Sequence, residues 1–284
     1  MYLLFDIGGT KMRFAISVDG TRIDKTVTVD TPQNFEEGIA KIKETVEKLA
    51  GSAGTEFITV AGGIAGPIGK DKKGLTASPN LPDWAKKPLT DRIGKIFGAS
   101  PLPVFLENDA VLAALGEATH GAGRGSNIVA YLTVSTGVGG ARIVNGKIDE
   151  KTIGFEPGHQ IIDADKTIIP EAKSEMFEDY ISGTAVLRET GKKPKEVKDP
   201  DFWDKTAKLL AYGLNNTIVY WSPDVVVLGG SMITGDPAIP LDKTKKYLGE
   251  ILKIYTELPE LKKAELGDLA GLYGALEYLR QNIV

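Results

Sequence analysis

Three places in the sequence group polar residues, two of them with glycines, in ways that could handle a phosphate or a hydroxyl. The first is Asp6-Ile7-Gly8-Gly9-Thr10-Lys11, between two runs of strand formers at 2–5 and 12–18, so its glycines fall at the tip of a β-hairpin. Gly8 and Gly9 have no Cβ, which lets the backbone turn sharply and bring N–H groups against a polyanion, while Thr10 adds a hydroxyl and Lys11 a positive charge. Asp6 ends the first strand, where a carboxylate could hold a hydrated Mg²⁺ beside phosphate oxygens. The spacing matches neither a Walker A loop nor a dinucleotide fingerprint, and no helix follows it. A Gly-Gly hairpin with incidental polar neighbours is the plain alternative.

The second place repeats the first. Ser135-Thr136-Gly137-Val138-Gly139-Gly140 joins the strongest strand of the chain, 128–134, to another at 141–144, which suggests two related halves, each presenting a glycine turn of phosphate size. The third is Glu107-Asn108-Asp109, at the end of a strand at 103–106 and opening an alanine-rich helix at 110–118. Strand ends that open helices are natural ligand sites in α/β sheets. An N-cap role for Asp109 would explain one of these polar residues but not all three.

Weaker signals surround these. Gly229-Gly230-Ser231 follows a β-branched strand at 224–228, a suitable place for a nucleoside to lie across the backbone. The strand at 57–60 runs into a glycine-rich turn, 61–68, that contains Gly63 and could floor a ligand or simply end the strand. Asn80 and Trp84 sit in a loop and could touch a sugar or pin that loop down. Glu156-Pro157-Gly158-His159 places a carboxylate three residues before one of only two histidines, and the other, His120, reads as structural.

The elements needed to carry these residues are legible as periodicity. A third strand is expected at 21–29 and amphipathic helices at 34–50, 89–96, 202–221, 241–255 and 269–279. The chain has 284 residues, 42% apolar and 25% charged, enough for two domains with sizeable cores. Thirty-four basic against 38 acidic side chains give a net charge of −4, which favours neither nucleic acid nor a membrane as partner. The absence of cysteine excludes disulfides, thiolate nucleophiles and thiolate-bound zinc. With no basic leader or long apolar run at the start, a cytoplasmic location is expected.

Taken in order and at these separations, Asp6 to Lys11, Thr136 to Gly140, Glu156-Pro157-Gly158-His159 and Gly229-Gly230-Ser231 resemble the ROK family of repressors, open reading frames and sugar kinases, over essentially the whole chain. The resemblance implies an α/β actin/hexokinase-like fold, two ribonuclease-H-like domains with an interdomain cleft closing over ATP and a sugar. The first domain would span 1–109, completed by the C-terminal helix at 269–284, and the second 110–268. Asp109 is then implied as the catalytic base, with Gly63, Asn80, Asn108, Glu156, His159 and Glu178 contacting the sugar. Asp6, Gly8, Gly9, Thr10, Lys11, Thr136, Gly137, Gly139, Gly229, Gly230 and Ser231 would serve ATP, with Mg²⁺ held by Asp6 through water.

The implied reaction is phosphoryl transfer from ATP to a hexose hydroxyl, glucose and its primary hydroxyl first, with N-acetylmannosamine or fructose as alternatives. Relatives are often dimers, so the resemblance allows a homodimer, while the sequence itself leaves the oligomeric state unread. One departure stands out. Many members bind a structural zinc through a cysteine-rich segment and the motif histidine, whereas Ala172-Lys173-Ser174-Glu175-Met176-Phe177 occupies that place here without a cysteine, so no zinc is expected. Two other classes remain alongside the kinase. A sugar-responsive repressor would carry a helix-turn-helix before the first phosphate strand, which here begins at Tyr2, and an idle sugar sensor would be expected to have lost Asp109 or the glycine turns. Polyphosphate is an alternative phosphoryl donor.

Overall fold

The computed structural model describes residues 1–51, 56–78, 80–98, 100–149 and 154–283. The chain divides into two compact units, Met1–Thr119 with Asp268–Val284, and His120–Gly267. Among the described residues no helix is long and apolar enough to cross a membrane.

The first unit is built on a sheet of five strands, β1 (Tyr2–Ile7), β2 (Lys11–Ser17), β3 (Lys25–Asp30), β4 (Thr59–Ile64) and β5 (Val104–Asn108), in the order β3-β2-β1-β4-β5. The β1–β2 and β2–β3 pairs are antiparallel, and β1–β4 and β4–β5 are parallel. The third strand starts later than its sequence suggests. Ser17 Oγ and the Asp19 and Asp24 carboxylates accept from the N–H groups of Gly20, Thr21 and Val18, which holds 18–24 as a wide loop in place of a tight turn. Strand β4 runs on through Gly62 and Gly63, since a Cβ at 62 would strike the Phe5 ring at 2.3 Å and one at 63 would lie 3.1 Å from the Asp109 Cα.

Helix α1 (Phe35–Ala50) buries Phe35, Ile39, Ile42 and Val46 on the sheet. Asn34 Oδ1 accepts from Glu37 N at its start, and the Asp83 carboxylate accepts from Phe35 N. Trp84 is buried edge-on to Phe35, donates Nε1–H to Pro32 O, and lies where a Cβ at Gly38 would be. Loop pinning is therefore its role. Helix α2 (Leu89–Gly94) leads into β5, and α3 (Asp109–His120) follows β5 directly.

The second unit repeats the topology. Strands β6 (Ile128–Val134), β7 (Val138–Val144), β8 (Lys147–Ile148), β9 (Val225–Gly229) and β10 (Glu260–Lys263) are ordered β10-β9-β6-β7-β8, with β6–β7 and β7–β8 antiparallel and β6–β9 and β9–β10 parallel. Read from β8, this is the order of the first sheet. The 22-residue helix α6 (Pro200–Trp221) starts at the Asp199 cap with Pro200 in its first turn and buries Ala207, Leu210, Leu214 and Ile218. The short helices α4 (Glu178–Ile181), α5 (Gly183–Thr190) and α7 (Ser231–Thr234) border its turns, and α8 (Leu241–Ile251) packs on α6.

The chain ends in α9 (Ala270–Asn282), which lies on β1 and β4 of the first unit. Helix α3 stays with that unit and does not open the second one. The contact between α3 and α9 explains why. A Cβ at Gly116 would lie 2.3 Å from Ala270 O, and one at Gly274 only 1.7 Å from Leu112 O, so the two helices cross backbone to backbone. Gly274→Ala has no flexible side chain to displace. It is expected to cost about 2–3 kcal/mol, read as a lower denaturation midpoint at unchanged m-value.

Candidate active site

In the first unit, the carbonyls of the first glycine turn are all held from one side. Thr31 Oγ1–H donates to Gly8 O at 2.7 Å, Gln33 Nε2–H to Gly9 O at 3.0 Å, and Thr31 N–H to Thr10 O at 2.9 Å. Because N–H and C=O of one peptide point opposite ways, this turns the N–H groups of Gly9 and Thr10 away from residues 31–33. Sequence reading found the glycines but missed Thr31 and Gln33, whose distance along the chain left no local signal. Lys11 Nζ lies 2.5 Å from the Asp30 carboxylate on β3, an exposed pair. It would have to leave that partner to reach a phosphate. Asn80 is exposed and packs against Gly9, where an added Cβ would come within 2.8 Å of its own Cβ.

Glu107, Asn108 and Asp109 separate into different tasks. Asn108 Oδ1 accepts from Val111 N at 3.2 Å, so Asn108 caps α3. Its Nδ2–H donates to Gly66 O at 3.0 Å, tying the glycine-rich segment to the helix start. Glu107 is buried, accepts from Asn108 N and pairs with Lys72, which also donates to the Tyr278 hydroxyl on α9. Asp109 is left in the first turn of α3, where the helix dipole favours its negative charge. Gly63 is buried beneath the Asp109 backbone, so its visible duty is close packing.

The Asp6 carboxyl is strongly perturbed. Burial, and then the charge of nearby Asp109, push its carboxyl from the ordinary 3.8 up to about 7; Arg13 opposes the shift and Asp268 adds to it. Arg13 lies 3.7 Å from Asp6 and 2.8 Å from Asp268. Helix α9 closes the pocket through Gly271, where a Cβ would fall 2.8 Å from the Asp6 Cγ. Two carboxylates share one guanidinium and the charge of Asp109 reaches Asp6, so the negative charge here is of the kind that a cation held through water, rather than by direct ligation, would offset. Arg13, Asp268 and Gly271 were not among the residues singled out from sequence.

In the second unit three turns converge. Gly183 N–H donates to Ser135 O at 2.7 Å, Thr184 Oγ1–H to Thr136 O at 2.8 Å, and Ser231 N–H to Ser135 Oγ at 3.0 Å. The 135–137 turn, the start of α5 and the Gly229–Ser231 turn are therefore one assembly. Gly230 has φ +84° and a Cβ there would meet Val134 O at 2.3 Å, so only glycine lets β9 pass so close to β6. A Cβ at Gly229 would strike the Tyr131 hydroxyl at 2.6 Å. Gly139 pairs with Thr133 inside the β6–β7 ladder.

Glu156, His159 and Glu178 also come together here. His159 Nδ1 lies 3.7 Å from Glu156 Oε2. Partial desolvation lifts the largely exposed Glu156 carboxyl above its ordinary range, His159 pulls it back, and Glu178 pushes it up again. Glu178 Oε2 accepts from Val138 N at 3.2 Å and would lie 2.9 Å from a Cβ at Gly137, so it rests against the second glycine turn.

Two like-ordered sheets, each with a glycine turn between its first two strands, define a duplicated α/β protein. A ROK family model matches residues 2–282. The glucokinase of Thermotoga maritima is 29% identical, with 98% of this chain and 96% of the relative covered. The crystal structure of a ROK hexokinase from Thermus thermophilus matches with a TM-score of 0.81 and 30% identity over 99% of this chain and 98% of that one. A ROK glucokinase from Streptomyces griseus, solved in complex with glucose and AMPPNP, matches with a TM-score of 0.79 and 28% identity over 99% of both chains. The chain belongs to the ROK family, and its fold is the actin/hexokinase-like α/β fold.

The state of Asp6 has a measurable consequence. With its folded pKa above the unfolded one, the native chain holds a proton that the unfolded chain releases, so stability falls as pH rises from about 4 through about 7. The loss is on the order of a few kcal/mol. In metal-free buffer, Asp6→Asn is expected to raise the melting temperature at pH 8, with the gain vanishing near pH 4. An equal shift at both pH values would contradict the burial argument.

Proposed function

We propose that this ROK protein is an ATP-dependent hexose kinase, transferring the γ-phosphoryl group of ATP to a sugar hydroxyl. The observation that carries the reading is the division of labour at the end of β5. Asn108 caps the helix, and Asp109 follows it in the first helical turn, its charge acting on Asp6. Family membership supports the class of reaction, and the Streptomyces griseus relative, bound to glucose and an ATP analogue, supports the pair of substrates.

In this reading Asp109 accepts the proton of the attacking hydroxyl. The N–H groups of Gly9 and Thr10 and the Thr10 hydroxyl receive phosphate oxygens from one side. Lys11 adds charge once it leaves Asp30. In the second unit Thr136, Gly137 and Gly139 form the other phosphate turn, and Gly229, Gly230 and Ser231 receive the nucleoside. Glu156, His159 and Glu178 accept and orient sugar hydroxyls, with Asn80, Asn108 and Gly63 assigned to the sugar in the first unit. Bound Mg²⁺ supplies charge neutralisation at the phosphates, and Asp6 would hold it through water. Phosphoryl transfer asks for positioning and charge balance more than covalent help, which amide-rich turns and one base can supply.

Glucose, at its primary hydroxyl, is the first acceptor to test, followed by N-acetylmannosamine and fructose. ADP release from MgATP across a panel of hexoses and N-acetylhexosamines is expected to single out one sugar. Asp109→Asn is expected to lower kcat by about 10² to 10⁴ while leaving the melting temperature and ATP binding in place. Normal turnover in that variant would remove Asp109 from the role. Metal analysis of the purified protein is expected to find no stoichiometric zinc.

A further inference from the structure

The segment between His159 and Glu178 has to bring two of the proposed sugar ligands together, and a zinc centre does not fit it. The 172–177 stretch has no thiolate. Another device orders it. Asp163 is buried, and its two oxygens accept four hydrogen bonds. Oδ1 accepts from Thr167 N at 2.9 Å and Thr167 Oγ1 at 3.0 Å, and Oδ2 from Ile168 N at 2.7 Å and the Tyr180 hydroxyl at 3.2 Å.

Those bonds reach both ends of the segment. At its base, Phe177 N donates to Gln160 O at 2.8 Å and Ile162 N to Glu175 O at 3.1 Å, which sets residue 160 beside 177 and so His159 near Glu178. Tyr180, the fourth donor, is two residues beyond Glu178 on α4. The neighbours of Glu178 are anchored as well. Phe177 fills the notch at Gly213 of α6, where a Cβ would meet its ring at 2.2 Å, and the Asp179 carboxylate accepts from Ser174 Oγ at 2.5 Å and Arg188 Nη1 at 3.1 Å. Burial alone would raise the Asp163 carboxyl; the donors from Ile168, Thr167 and Tyr180 outweigh it and hold the group below its ordinary range.

We propose that Asp163 is a positioning residue for the sugar site, a buried carboxylate that holds the 160–177 segment and, through Tyr180, the helix carrying Glu178. The proposal rests on the sugar-kinase reading above. Asp163 acts through Glu178 and His159 and touches no substrate itself. Removing one acceptor would leave buried N–H or O–H donors unmatched, which loosens the segment even where the fold survives.

The test is Asp163→Asn, with Tyr180→Phe as a milder second variant that deletes one bond and keeps the ring. For Asp163→Asn the KM for the sugar is expected to rise about tenfold or more, with the KM for ATP within about twofold and kcat within about threefold of wild type. Tyr180→Phe should move the sugar KM in the same direction by less, and it carries the test if Asp163→Asn does not fold. Hydrogen exchange at the Thr167 and Ile168 amides should accelerate in Asp163→Asn without any ligand present. An unchanged sugar KM, or equal rises for sugar and ATP, would overturn the positioning role. If the wild-type protein phosphorylates no sugar, the kinase reading fails separately, and unaltered amide exchange would then overturn the ordering role of Asp163 on its own.

Discussion

A carboxylate kept nearly out of water sets the terms for the first unit. Asp6 ends β1, the central strand, and is walled by Gly271 of α9, by Arg13 of β2 and by the negative charge of Asp109. Such a group is costly unless something offsets its charge. Arg13 does so in part, shared with Asp268. The need for a glycine at 271, and for the backbone-to-backbone crossing of α3 and α9 through Gly116 and Gly274, follows from bringing the C-terminal helix that close. The last helix thus returns to the first unit because the pocket around Asp6 is incomplete without it.

The same constraint orders the end of β5. A helix start has N–H groups that need acceptors, and an aspartate there would normally supply one. Asn108 takes that task and uses its amide nitrogen to hold Gly66 as well. Glu107, buried and paired with Lys72, fixes the Asn108 N–H in turn. Glu107 and Asn108 thus have separate structural duties, and Asp109 follows them as the first residue of α3.

The parts of this arrangement that depend on residue type were readable in the sequence; those that depend on distant partners were not. Glycine turns between strands, the Asn34-initiated helix and the long α6 seam have local signatures, and they occur where periodicity places them. Strand β10 reads Glu-Leu-Lys-Lys, too short and charged for an edge strand to announce itself, and it was missed. Thr31 and Gln33 lie more than twenty residues from the carbonyls they hold, and Thr184 lies 48 residues from Thr136. Gly62 and Gly63 looked like a turn because glycines usually signal one, yet here they are needed for packing inside β4. Asp163 carried no motif at all, since its partners are two backbone amides, a threonine hydroxyl and a tyrosine brought in by folding.

The two glycine turns share a topology but are held differently, and this bears on specificity. The first is fixed by side chains from the segment that follows β3, so its shape is set within the opening hairpins. The second is fixed by the starts of α5 and α7, and Glu178 lies against it, accepting from Val138 N. A proposed phosphate turn and a proposed sugar ligand thus share one wall. Any change that reshapes the acceptor side through Glu178 presses directly on Gly137, where even a methyl group would crowd the carboxylate. Acceptor preference in such an arrangement depends on how firmly α4 and the 160–177 segment are held, a property of buried hydrogen bonds far from any recognisable motif.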